Sequence, residues 1–518
     1  MLRYRILLTA LLAMSAGAQA LAAAKSTSGG LAAIDHPRSS DFGPASPSAA
    51  HASIAIVNGT LIDATGAPPQ PDSTVLIEGN KIVKVGPTNQ VAVPEGAQVI
   101  DARGMTIMPG LINSNEHIQL NPLYPAPTAD LPIGELRDRW EGNFQRMRQK
   151  AFVYLMQGVT SQRQTSGPWK RLLPIKKEID TGQTPGPRIF LGGALIMSPQ
   201  FFKHYTEVNR TPAEALDWLH NEFAYFVVSE PKDLDALESA DFAYWKLYLN
   251  DEPYDGKNDF SDAQIQAMIA RAHRLGKKVD VHAQASNDGL RRLLKFDIDT
   301  LEHPFYSKFV VADDVIKGLA NKGITAASLL RVQVTGAEHA MDPQAFDETR
   351  FIMSMTPDEY RLLMRYRDKM QFNFNHPSRG GLSIYDKRAS ASDMFGQAGP
   401  SLQDQEHGRD ISRLNMQHFI QGGVKLSMGT DSTSFLNFQQ DDPNATEMGY
   451  MVELGLSPMD TLIAATRNGA RMLGMADKLG TLEAGKLADV IVVAGDPLKD
   501  MKAMKRVAVV IKDGVRYK

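Results

Sequence analysis

Five polar clusters punctuate apolar runs along this chain: Asn113-Ser-Asn115-Glu-His117, Lys246 within Trp245–Leu249, His282, Glu302-His303 and Gly429-Thr-Asp431. Asn115 and His117 stand two apart, so an extended segment projects both on one side. A lysine inside an apolar run is costly to bury as a bare ammonium and needs a partner or a changed charge. A divalent-metal site accounts for the clusters together: imidazoles and a carboxylate converge, with or without a modified lysine, and a bound water becomes a nucleophile near neutral pH. Singly, each cluster has a bland reading. A lone histidine at a strand end is commonly a hydrogen-bonded structural residue, Gly-Thr-Asp makes turns and helix caps, and a buried lysine is commonly ion-paired or snorkelling. Their shared position after apolar runs carries the metal reading.

Those runs must be strands. Thr106–Ile112, Val159–Arg163, Arg188–Leu191, Tyr244–Leu249, Lys278–Val281, Asp299–Glu302, Ile324–Leu329 and Val424–Met428 alternate with helical stretches such as Ser261–Leu275 and Pro458–Leu473. Eight such strands fit an α/β fold, a (β/α)8 TIM barrel, whose functional side chains sit at the C-terminal strand ends. A doubly wound open sheet competes, weakened because no G-x-G-x-x-G follows the first strand. Short β-rich runs broken by Gly, Asn and Pro occupy 54–101 and return at 488–514. They predict a small β-sandwich domain built from both chain ends, over 53–106 and 478–518, around a barrel at 107–477.

Met-Leu-Arg-Tyr-Arg, an apolar stretch Ile6–Leu12 and Ala18-Gln-Ala20 predict a secretory signal peptide over 1–22, hence a periplasmic or secreted protein without stable membrane insertion after cleavage. Ala, Ser, Gly and Pro dominate 23–52, which predicts a flexible leader. The absence of cysteine excludes thiol catalysis, Cys-ligated zinc and iron–sulfur clusters. With 56 Lys+Arg against 59 Asp+Glu there is no basic footprint for a nucleic acid.

The order of these segments resembles the amidohydrolase superfamily of metal-dependent hydrolases. Asp101-Ala-Arg-Gly-Met-Thr-Ile-Met-Pro-Gly-Leu-Ile112, Gly158-Val-Thr-Ser, Thr184-Pro-Gly-Pro-Arg188, Ala240–Lys246, His273–His282, Asp299-Thr-Leu-Glu-His303, Gly429-Thr-Asp431 and Leu479–Val490 follow in the family's order. They are most similar to the Xaa-Pro dipeptidase-like, imidazolonepropionase-like and ochratoxin-hydrolysing branch. The resemblance implies that His117 binds one metal, that His282 and His303 bind a second, and that Lys246 bridges both as a carboxylated lysine. It also implies that Asp431 ligates metal and serves as general base, then general acid. The cofactor implied is zinc, one or two ions per chain, and a homo-oligomer is an expectation of the same kind.

One departure matters: Asn115 stands where the family has the first histidine of His-x-His, and an amide oxygen is a weaker zinc ligand than imidazole. Three readings follow, namely a binuclear site with Asn115 as ligand, a mononuclear site on Lys246, His282 and His303, and a degraded, non-catalytic site. Deamination is disfavoured because Ala285 replaces the glutamate expected three residues after His282. The expected activity is hydrolysis of a dipeptide-like or N-acyl amino-acid C–N bond outside the cytoplasm. A cyclic amide, lactone or other ester is the alternative substrate, and a metal-poor binding protein that lost turnover through Asn115 is the rival class. His204, after strand three, and Arg331 or Arg379, as carboxylate forks, are weaker candidates for touching substrate.

Overall fold

The computed structural model describes residues 53–118, 147–148, 150–193, 195–208, 225–238, 240, 242–249, 260–283, 286–304, 309–331, 402–432 and 442–518. The signal peptide and leader expected over 1–52, Arg379 and Ala285 lie outside these residues, and of His204 only the backbone is described. Among the described residues no helix is long and apolar enough to cross a membrane.

Both chain ends build one sheet. Strands β1 (Ile54–Leu61), β2 (Gln70–Glu78), β3 (Lys81–Pro87), β4 (Gln98–Asp101) and β5 (Met105–Pro109) come from the N-terminal side. Near the C-terminus lie β16 (Val490–Ala494), β17 (Val507–Lys512) and β18 (Val515–Arg516). The order is β18-β17-β16-β5-β1-β2-β3, with β4 on β1. The predicted sandwich is therefore seen as a single hydrogen-bonded eight-stranded sheet. Its apolar residues, among them Ile56, Val75, Ile107, Val490, Val492 and Ile511, pack into one core cluster.

The central block is parallel throughout: β6 (Leu111–Glu116), β7 (Val159–Gln164) and β8 (Arg188–Leu191) form one sheet. A second sheet holds β9 (Leu195–Met197), β10 (Tyr225–Val227), β11 (Tyr244–Tyr248), β12 (Lys278–His282), β13 (Thr300–Glu302), β14 (Thr325–Ala327) and β15 (Lys425–Ser427), in the order β10-β9-β11-β12-β13-β14-β15. Helices such as Asp262–Arg274 pack outside, that one started by a reciprocal Ser261–Gln264 capping box and burying Ile265, Met268, Ile269 and Ala272. All eight expected strands are present, but the ladder is not one closed barrel. After Gly192-Gly193 the added strand β9 takes the place beside β11, leaving the single bond Ala243 N–H to Leu191 O from β8. At the other seam β6 and β15 meet through a few offset backbone bonds.

The run Thr106–Ile112 is two strands. β5 belongs to the terminal sheet and β6 to the parallel block, with Gly110 between them, where a Cβ would stand 2.2 Å from Oγ1 of Thr160. The expected helix Pro458–Leu473 is interrupted by a π-helical turn at Ala464–Asn468. Its Ala464 carbonyl accepts from Met428 N–H at 3.2 Å, and Asn468 Nδ2 donates to Leu426 O, so the turn is bonded to the end of β15.

Candidate metal centre

β6 is buried along its whole length although its last four residues, Asn113-Ser-Asn-Glu116, are polar. Such a strand is tolerated only if its groups are bonded. Asn113 Nδ2 donates to Thr430 Oγ1 at 2.8 Å and to Asn444 Oδ1 at 3.0 Å. Glu116 accepts from Asn113 and from the His117 N–H. Thr430 N–H and Asp431 N–H both donate to Asn115 O, at 3.1 and 2.9 Å, which brings the end of β15 onto the end of β6. Gly429 makes this approach possible: a Cβ there would lie 3.1 Å from Asn115 N and 2.7 Å from Leu329.

Four of the expected ligands meet as a result. Asp431 Oδ1 lies 3.2 Å from His117 Nε2, and its Oδ2 lies 3.6 Å from His303 Nε2. The His303 and His282 rings stand 4.2 Å apart, and His282 stacks on Tyr248 at 4.4 Å. His303 and Asp431 both hold positive φ, 60° and 44°, a backbone state that is unfavourable by ~1–3 kcal/mol for a non-glycine residue and recurs at functional sites. Burial, reinforced by the neighbouring histidines and Lys246, pushes His282 well below the ordinary imidazole range. Burial also takes His303 down to about 4, against the pull of Asp431. Burial alone would raise Asp431, but the hydrogen bond with His117 and the nearby histidines keep it below its usual value. His282 and His303 therefore present neutral imidazoles, and Asp431 an ionised carboxylate, at neutral pH, the protonation states that metal ligation requires.

Asn115 joins this group through a shared hydroxyl. Thr165 Oγ1, at the end of β7, donates to Asn115 Oδ1 at 2.8 Å and lies 3.0 Å from His117 Nε2. Asn115 Nδ2 is buried without a hydrogen-bond partner, as is His282 Nε2.

Lys246 is buried, as its apolar surroundings in the sequence foretold, and its ammonium is ion-paired with Glu302. Glu302 was legible only as the residue before His303, and its carboxylate lies with His282 and His303 in one group whose ligand atoms are all within 4.8 Å. Beneath this pair Arg163 faces Asp280 at 3.2 Å, and Thr300 donates to the same carboxylate. Burial and the Asp280 charge push Glu302 well above the usual carboxylate range. In Asp280 burial pulls the same way, but Arg163 and Lys246 outweigh it and hold the group low.

Arg331 lies elsewhere. It is buried, donates from Nη1 to Ser432 Oγ at 3.3 Å, and its backbone N–H donates to Glu447 at 2.7 Å. Lys150, absent from the sequence reading, is buried nearby, and burial brings its ammonium down to about 8 despite Glu116. The donor chemistry suits a divalent ion. Imidazoles and carboxylates converge, and the buried Nε2 of His282 and Oε1 of Glu302 take part in no hydrogen bond.

Residues 106–516 match the family model described as Amidohydrolase family. A 5-methylthioadenosine/S-adenosylhomocysteine deaminase of Moorella thermoacetica is 36% identical over 85 residues, 15% of this chain and 20% of that protein. An imidazolonepropionase of Symbiobacterium thermophilum is 49% identical over 83 residues, 15% of this chain and 18% of that one. The chain thus matches a fifth or less of the length of these curated relatives. A solved Xaa-Pro dipeptidase with bound methionine in the active site aligns over 90% of this chain and 100% of its own, at 22% identity and a TM-score of 0.67. That likeness concerns the fold.

Proposed function

The chain belongs to the amidohydrolase family, and from that premise we propose that it is an exported metal-dependent hydrolase of amide or peptide C–N bonds in dipeptide-like or N-acyl amino-acid substrates. The observation that carries the reading is the convergence of His117, His282, His303 and Asp431, with the His282 Nε2 buried and unbonded beside its neighbours. In our reading these four hold the metal, zinc, with Asn115 at a looser first position. Lys246 would join the ligand set if carboxylated, a change that would turn its cation into an anion and end its pairing with Glu302. In this reading the eight expected strands, β6–β8 and β11–β15, correspond to those of a (β/α)8 barrel, with the site at their C-terminal ends.

The metal when bound supplies Lewis acidity and a water of lowered pKa. Asp431, ionised at neutral pH and held by His117, is placed to take the water's proton on a carboxylate oxygen and pass it to the leaving amine. His303, on the other carboxylate oxygen, restrains the rotation of that group. Hydrolysis of C–N bonds agrees with the family, and the deaminase relative marks the neighbouring chemistry.

The test is turnover by zinc- and bicarbonate-supplied protein on parallel panels of dipeptides, N-acyl amino acids, lactones and aminopurine nucleosides. Cleavage confined to the first two supports the proposal. Cleavage of lactones alone, or ammonia release from the nucleosides alone, overturns the assigned substrate class.

A further inference from the structure

His117 and Asp431 are 3.2 Å apart although they follow different strands, β6 and β15, with no extended ladder between them. Among the described residues, the last backbone bond joining the two ends is Asp431 N–H to Asn115 O. One step further on, the carbonyls of His117 and Ser432 are both acceptors and cannot bond to each other. The side chain of Lys150 donates to both, to Ser432 O at 2.9 Å, with Glu116 Oε1 3.6 Å from the same ammonium. We infer that Lys150 is a positioning residue that continues the pairing of the two strand ends where their backbone ladder stops, and so sets the relation of His117 to Asp431.

The helical segment 150–156 that carries it shows why a lysine there is informative. Met147, Lys150, Ala151 and Tyr154 follow the i, i+3, i+4, i+7 spacing of a buried stripe, and all four are buried. A methionine or leucine would fill such a stripe without the desolvation cost of an ammonium, several kcal/mol for a buried ion. Three N–H donors on one flexible stem answer two carbonyls and a carboxylate at once, which no apolar residue does. Arg331 serves the same frame from the other side, through Ser432 Oγ and Glu447. This gives the buried arginine a role apart from substrate.

The inference rests on the reading of His117 and Asp431 as working groups, so its test includes a readout that needs neither metal nor substrate. Lys150→Met and Lys150→Arg are compared with wild type by hydrogen exchange, metal affinity and steady-state kinetics. In Lys150→Met, exchange of the Thr430 and Asp431 amides is expected to accelerate about tenfold or more relative to the amides of β16 and β17. Metal affinity is expected to fall about 10–100-fold, and kcat about 100-fold with KM little changed. Lys150→Arg, which keeps the charge and donors, should recover part of each. Uniform acceleration across the chain, unchanged exchange at 430–431, or failure of both variants to fold overturns the assignment. If wild type neither holds metal nor hydrolyses any panel substrate, the functional reading falls while the exchange result still decides the role of Lys150.

Discussion

β16 and β6 lie side by side in sequence logic and apart in chemistry. Val490, Ile491, Val492 and Val493 have no exposed surface, and neither do Asn113, Ser114, Asn115 and Glu116. In β16 complete burial is stabilising in itself, because each apolar side chain leaves water for the cores of the terminal sheet and the central block. In β6 the same burial is favourable only because amide, hydroxyl and carboxylate groups satisfy one another, and where they do not, at Asn115 Nδ2, a polar atom is left over. Equal burial thus serves stability in one strand and holds reactive groups in the other. Substitutions should separate the two.

The largest expected effect lies at the polar end. Asp431→Asn removes the proposed base and should lower kcat by about 100- to 10,000-fold, with a melting temperature within a few degrees of wild type by differential scanning calorimetry. Retained turnover would place the base elsewhere. Ile491→Ala should do the reverse, costing about 2–5 kcal/mol in denaturant unfolding while kcat and KM per folded molecule stay unchanged.

Protonation offers a subtler contrast. Folded His303 binds its proton only near pH 4, whereas in the unfolded chain an ordinary histidine does so near ~6.5. Between these values the unfolded state holds the extra proton. The metal-free protein should therefore lose stability as pH falls from about 6.5 through about 4, and His303→Asn should flatten that slope. Parallel melting curves for the two proteins would show that His303 is not the group responsible. The smallest change is Asn115→His, which restores an imidazole beside Thr165 and should tighten one metal about tenfold in a competition titration. Unchanged affinity would place Asn115 outside the ligand set.

Much of this contrast was legible in the sequence. The eight expected parallel strands are there because apolar runs bounded by turn residues announce buried strands, and the polar residues that end them stood out against those runs. β9 and β10, three residues each, are too short to carry a period. The π-helical turn at Ala464–Asn468 follows from tertiary bonds to β15, which no local pattern encodes. In the site, Glu302 stands out in the sequence only beside His303, and neither Arg163 nor Asp280 is among the five polar clusters. Asp280, between Val279 and Val281, carries the same signal that singled out Lys246, whereas Arg163 stands in the mostly polar strand Val159–Gln164, where a charge does not stand out. Arg331 was assigned toward substrate from its type alone, and its burial among Ser432 and Glu447 could not be read from one position.

The most direct measurement is the metal content of protein purified without chelator and supplied with zinc and bicarbonate, beside His282→Ala prepared identically. The account predicts one or two divalent ions per wild-type chain, with fewer retained by a variant that still melts cooperatively. Folded wild-type protein that holds no ion, or an equal content in the variant, would contradict a metal centre built on His282, His303 and Asp431.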